Sequence, residues 1–276
     1  MAFGMSHSSP TSRLEVLDVL DTIQAMSVRD STLFLFIDID NVYYCEDAKR
    51  LSDRIAADIA GVVTTQSQNW VPARMLVRLY GGWMCDGELT RMASRTLEAT
   101  SRAHVFPFFC TDHYRTIVRG QIDLALEMLS LPGLLWQHTC SIQKGAPRLR
   151  TVARGTPKDC PTSKDACFIS QMARFSQSKY SRCPHPGCTV MNVDAFQQLV
   201  QKMVDSLMIC DLLYLAANPA DNLAVAVATD DWDILPGLAL AASSGLDVRW
   251  LRRNLSRMQT YDNALTQLGV RIATWG

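Results

Sequence analysis

The chain has 276 residues, 48% of them hydrophobic, with 27 basic side chains against 27 acidic ones and a pI of about 6.9. That length and apolar content can bury the core of one large domain or two small ones. Balanced charge excludes a global positive field, so any nucleic-acid contact has to use local patches, and no apolar run approaches the roughly 20 residues of a membrane span.

Residues 1–30 read as an N-terminal tail and a helix: MAFGMSHSSPTSR lacks the apolar core of a secretory signal, and a helix is expected at about Leu14 to Met26. Leu33 to Ile37 (LFLFI) is an unbroken apolar run, the pattern of a strand buried on both faces. Glu46 to Ile59 has helical spacing, Met75 to Tyr80 reads as a strand ended by Gly81-Gly82, Glu88 to Arg102 as a helix and Val105 to Phe109 as a strand. Tyr114 to Leu129 reads as a helix with Ile117, Ile122, Leu126 and Leu129 towards the core, stopped by Pro132-Gly133. Residues 137–192 are polar, basic and rich in cysteine and proline. Val193 to Ala217 then reads as a long helix, apolar on nearly all sides. Strand Leu223 to Ala228, helix Leu235 to Ser243, strand Val248 to Leu251, helix Tyr261 to Leu268 and a closing strand Val270 to Thr274 complete the chain. Alternating strands and helices predict an α/β domain over 31–276, with a mainly parallel sheet, helices on both faces and 137–192 as an insertion.

Two acidic clusters follow buried strands. Asp230, Asp231 and Asp233 stand in TDDWDILPG after the Leu223 strand, and Asp38-Ile39-Asp40-Asn41 ends the Leu33 strand. Parallel strands deliver functional groups at their C-terminal ends, so neighbouring strands would unite the clusters. Crowded carboxylates repel one another, and a bound divalent cation relieves that repulsion. In the helix between them, Lys202 and Asp205 are three apart and share a face. Asp211 lies about 120° around the axis from Asp205, which leaves both a structural and a metal role open for it.

These motifs resemble the NYN domain, a branch of the PIN-like metal-dependent nucleases. The opening pattern is a strand followed by Asp-Gly-x-Asn, here Asp38-Ile39-Asp40-Asn41. The middle pattern, Lys-Gly-Val-Asp then Asp-Leu-Leu, is here Lys202-Met203-Val204-Asp205 then Asp211-Leu212-Leu213. The closing Ser-Gly-Asp-x-Asp-Phe-x-Pro is here Thr229-Asp230-Asp231-Trp232-Asp233-Ile234-Leu235-Pro236, and Arg78-Leu79-Tyr80-Gly81-Gly82-Trp83 also looks like family members. Three positions depart from the pattern: Ile39, Met203 and Asp230 stand where glycines are usual. The resemblance implies a three-layer α/β/α PIN-like (Rossmann-like) fold with a cysteine-rich insertion. It implies Mg²⁺ or Mn²⁺ held by Asp38, Asp205, Asp231 and Asp233, Asn41 orienting the attacking water, and Lys202 pairing with an acid or contacting the scissile phosphate. RNA is the implied substrate, single-stranded or structured, and homodimers or partner proteins are common in the family.

Two other classes fit parts of the pattern. Asp38-Ile39-Asp40-Asn41-Val42 also suits the opening of haloacid-dehalogenase-type phosphatases, with Asp38 as nucleophile and Asp40 as general acid. A catalytically inactive RNA-binding protein is the third class. In the insertion, Cys160, Cys167, Cys183 and Cys188 supply enough thiolates for a structural Zn²⁺, although their spacing is not that of a zinc ribbon. Nine cysteines suit a reducing, cytoplasmic setting. Arg148, Arg150 and Arg154 in the insertion, with Arg252 and Arg253 after the Val248 strand, are the expected nucleic-acid contacts.

Overall fold

The computed structural model describes residues 31–43, 48–66, 71–110, 116–145, 167–253 and 259–275. The helix expected at Leu14 to Met26 lies outside them. In chain order the first elements are β1 (Thr32–Asp38), α1 (Ile39–Val42), α2 (Ala48–Gln66), β2 (Arg74–Tyr80), β3 (Met84–Cys85), β4 (Glu88–Leu89), α3 (Arg91–Arg102), β5 (Phe108–Cys110) and β6 (Thr116–Leu124). Then come β7 (Cys140–Lys144), α4 (Phe168–Phe175), α5 (Asn192–Ala195), β8 (Gln197–Gln201), α6 (Val204–Ala217), β9 (Leu223–Ala228), α7 (Leu235–Ser243), β10 (Asp247–Arg252), α8 (Gln259–Gln267) and β11 (Arg271–Thr274). No helix among the described residues is long and apolar enough to cross a membrane.

LFLFI has no polar residue to offer a solvent face, and β1 accordingly lies inside a seven-stranded sheet of order β11-β10-β9-β1-β2-β6-β5. All pairings are parallel except β5 against β6. Numbered among the parallel strands alone, the order is that of a doubly wound sheet, and it reverses between β1 and β9. Chains leaving these two strands diverge, which opens a crevice at their C-terminal ends. Side chains alternate across β1. Leu33, Leu35 and Ile37 pack with Ile55 and Ile59 of α2 and Ala93 and Ala99 of α3. On the other face Phe34 and Phe36 join a core with Leu207, Met208 and Leu212 of α6 and Leu238 and Ala241 of α7. Helices thus cover both faces of the sheet.

Two expected helices are differently built. Tyr114 to Leu129 contains strand β6, not a helix. Gly120 explains why the strand fits there: a Cβ at this position would stand 2.2 Å from the Met75 carbonyl oxygen of neighbouring β2 and 2.7 Å from the Phe106 ring. Val193 to Ala217 divides into α5, β8 and α6. Strand β8 pairs antiparallel with β7, from Gln201 opposite Cys140 to Gln197 opposite Lys144, a partner far back in the chain that local periodicity cannot reveal.

The chain folds as two compact units, one formed by residues up to Thr139 and from Met203, the other by Cys140–Lys202. The second unit contains the β7–β8 pair, α4 and α5 and overlaps most of the insertion expected over 137–192. Lys202 closes it, and helix α6 begins only at Val204, so Lys202 and Asp205 do not share a helix face as their spacing had suggested.

Between them, Met203 has φ 61°, in the left-handed region. A residue with a Cβ holds that conformation at a cost of roughly 1–2 kcal/mol, partly offset because glycine loses more freedom on folding. Met203 is 40% exposed, so its side chain buries little. Met203→Gly should therefore stabilise the protein by about 0.5–1 kcal/mol, seen as a higher urea midpoint with an unchanged slope. A lower midpoint would show that the Met203 side chain contributes more than its backbone strain costs.

Candidate metal centre

The end of β1 and the end of β9 are level, because Ile37 pairs with Ala228. The next residues, Asp38 and Thr229, therefore meet: the Thr229 hydroxyl donates to Asp38 Oδ2 at 3.2 Å. Asp38 is 2% exposed and caps the short helix α1, accepting from the Asn41 backbone N–H at 3.4 Å. The Asn41 side-chain amide donates to Asp38 Oδ2 and to Thr229 Oγ1. Thr229 is itself fixed from β10: its carbonyl accepts from Trp250 Nε1 at 3.0 Å and its N–H donates to the Leu251 carbonyl at 3.3 Å. Thr229 Oγ1 also accepts from the Asp231 N–H at 3.0 Å, and Asp231 Oδ1 from the Asp233 N–H at 3.0 Å. One hydroxyl thus sets both Asp38 and the turn that presents Asp231 and Asp233.

The fourth acid arrives from the opposite layer. Asp205 lies in the first turn of α6, whose apolar face is packed on the sheet. Its carboxyl is pushed up from its usual 3.8 to about 6, first by burial and then by the negative charges of Asp231, Asp38 and Asp233. Burial also raises Asp38, with Asp231 adding to the rise, while Asn41 and Thr229 oppose it. Asp40 is raised by burial and by Asp38. Asp38, Asp205, Asp231 and Asp233 therefore form one electrostatic cluster in the crevice where the strand order reverses.

An all-carboxylate oxygen set with unrelieved repulsion fits a hard divalent cation such as Mg²⁺ or Mn²⁺. Among the described residues, no three His, Cys, Asp or Glu side chains are closed into a ligand cage. The donor chemistry fits, and the acids stand within repulsive range without converging on one point. No family model, curated protein or solved structure matches the chain. Fold alone does not specify function, so any functional reading rests on this site.

Other expected site residues fall elsewhere. Asp211 belongs to a buried structural network described below. Asp230 turns away from the acids and accepts from the Arg253 N–H at 3.2 Å, tying the loop after β9 to the end of β10. Arg252 is not available to phosphates: it is 2% exposed, donates to Asp262 at 2.9 Å and lies 4.5 Å from the centre of the Trp250 ring. Arg253 is exposed. Arg148, Arg150, Arg154 and Cys160 lie outside the described residues. Cys167, Cys183 and Cys188 do not come together as a metal group among the described residues.

Thr229 is the organising residue that the sequence reading passed over. Its position immediately after an apolar strand and before three acids was the available signal. Asn41 spends its amide N–H groups on Asp38 and Thr229, which makes it a positioning residue for Asp38.

Proposed function

We propose that the chain is a divalent-metal-dependent nuclease that hydrolyses phosphodiester bonds in RNA. The carrying observation is that Asp205 from α6 stands within repulsive range of Asp38, Asp231 and Asp233, which follow two adjacent strands at the point where the sheet order reverses. Asp38, Asp205, Asp231 and Asp233 would hold Mg²⁺ or Mn²⁺. When bound, such an ion lowers the pKa of a water and stabilises charge on a phosphoryl oxygen. The chain's own part is positional. Thr229 and Asn41 hold Asp38 in one rotamer, Thr229 orients the Asp231 turn, and α6 fixes Asp205 opposite both. RNA, in preference to DNA, follows from the NYN-like motifs.

The phosphatase reading needs Asp38 as a nucleophile. Asp38 is 2% exposed, which leaves little room for its carboxylate to approach a phosphorus centre in line. Trapping a phosphoaspartate on Asp38 would overturn the nuclease reading.

The test is a cleavage assay on single- and double-stranded RNA and DNA with Mg²⁺, Mn²⁺ or chelator. Cleavage of RNA that requires the metal and disappears in Asp231→Asn is the expected result. Cleavage surviving that substitution would place the activity elsewhere, and RNA binding without cleavage would mark a catalytically inactive binder. The insertion has its own check: metal analysis of the purified protein against Cys183→Ser, where zinc at less than stoichiometric level excludes a structural zinc site.

A further inference from the structure

We propose that Trp232 and Tyr261 form a stacking platform for an unpaired nucleobase at the rim of the acidic crevice, so that the strand this site takes is single-stranded; this rests on the nuclease reading above. Trp232 stands between Asp231 and Asp233 in the same turn. It is 50% exposed, whereas Trp83, Trp250 and Trp275 are buried. Tyr261, in the first turn of α8, is 51% exposed, and the two rings meet edge to face, with centroids 6.4 Å apart and planes at 65°.

Such contact steadies an indole without covering it. The support beneath is firm. Asp262, next to Tyr261, is held by Arg252 at 2.9 Å, and Arg252 lies over Trp250. A half-bare indole flanked by two carboxylates contributes little to the core. For a nucleic acid it supplies what this site otherwise lacks. The chain has no net charge, and its crevice is lined with acids that repel phosphates. A neutral base face is indifferent to those charges, and stacking on an aromatic ring adds affinity without reading sequence. Arg253, exposed at the end of β10 on the same sheet edge, can offer a cation to the backbone. Bases inside a duplex are already stacked and cannot present a face to Trp232.

The experiment measures binding of the full chain to labelled oligonucleotides of about 12 nucleotides, in Mg²⁺ and in chelator. The probes are a single strand, the matching duplex and an abasic single strand. Trp232→Ala should weaken single-strand binding about tenfold, and Tyr261→Ala less, while Trp232→Phe stays within about threefold of the wild type. The slope of affinity against salt should not change, because no phosphate contact is lost. The abasic strand should bind the wild type as weakly as the intact strand binds Trp232→Ala. The proposal is overturned if Trp232→Ala binds single strands like the wild type, if the duplex binds the wild type as well as the single strand does, or if the wild type binds no single strand. Stacking-dependent binding with no cleavage under any metal leaves the platform standing and removes the nuclease reading. Cleavage with Kd and KM unmoved by Trp232→Ala removes the platform alone.

Discussion

Asp205→Asn is expected to lose at least about a hundredfold in metal-dependent cleavage while making the metal-free protein more stable above pH 6. Both effects come from the same repulsion. Burial and three neighbouring acids raise the Asp205 carboxyl from 3.8 to about 6. A carboxyl raised in this way binds its proton more tightly in the folded state than in the unfolded one. Stability therefore falls as pH climbs through the window between those two values, and the penalty is fully present above it. Asparagine carries no charge to be repelled, so the variant should have the higher urea midpoint at about pH 7.5 and little advantage at about pH 4. Saturating Mg²⁺ or Mn²⁺ should reverse the ranking, since only the wild type retains all four acids to bind the ion and be stabilised by it. The same logic makes the metal-induced rise in Tm shrink as pH drops below about 6, where Asp205 keeps its proton. A variant less stable than the wild type at both pH values without metal would show that Asp205 is held by its neighbours instead of repelled by them.

The crowding of acids behind that repulsion was partly visible in the sequence. LFLFI and LAVAVA are apolar at every position or nearly so, and strands of that composition sit inside a parallel sheet whichever face is examined. Acids at their ends are then conspicuous, and both clusters, Asp38 with Asp40 and Asp230, Asp231 and Asp233, could be named from that alone; the choice among them comes from the NYN-like pattern. Helix α7 could be bounded at Leu235–Ser243 because Pro236 lies in its first turn and Gly245 follows its end. What could not be read depended on contacts distant in the chain. Strand β6 carries apolar residues at spacings that imitate a helix, and only the close approach of β2 to Gly120 decides otherwise. Strand β8 needs β7. Asp211 and Asp205 look alike in an apolar helix, and their different roles follow from what faces them. The three departures from the NYN-like pattern also have local reasons. Ile39 is fully buried and joins the core beside α2, Met203 accepts a left-handed conformation, and Asp230 binds the Arg253 amide instead of joining the acids.

Asp211→Ala should destabilise the protein by about 3–5 kcal/mol, because it removes the carboxylate facing the largely enclosed Arg78 guanidinium and leaves the buried Tyr80 hydroxyl and Leu129 N–H without their acceptor. Asp211 is 0% exposed. Its Oδ1 accepts from the Leu129 N–H at 2.7 Å, and its Oδ2 accepts from the Tyr80 hydroxyl at 2.8 Å and faces Arg78 Nη2 at 3.3 Å. Burial pushes its carboxyl up, and Arg78, the Leu129 amide and the Tyr80 hydroxyl act against that rise. Burial also holds the Tyr80 phenol well above its usual 10, so it remains a donor. Arg78 and Tyr80 are on β2 and Leu129 lies in the segment after β6, so this one carboxylate ties α6 to β2 and to that segment. Asp205 lies six residues earlier on the same helix, roughly 9 Å along its axis, and depends on that anchorage for its place opposite Asp38. Tyr80→Phe, which removes one hydrogen bond and keeps the ring, should cost about 1–2 kcal/mol. Arg78→Met combined with Asp211→Leu should cost less than the sum of the two single changes, because no charge is then left unpaired. Denaturant unfolding of Asp211→Ala, Tyr80→Phe, the double variant and its two single changes measures these differences. Cleavage by Asp211→Asn, assayed well below its unfolding temperature, separates anchorage from ligation: activity within a fewfold of the wild type fits an anchor, whereas a loss as large as that of Asp205→Asn would make Asp211 a fifth member of the metal-binding set.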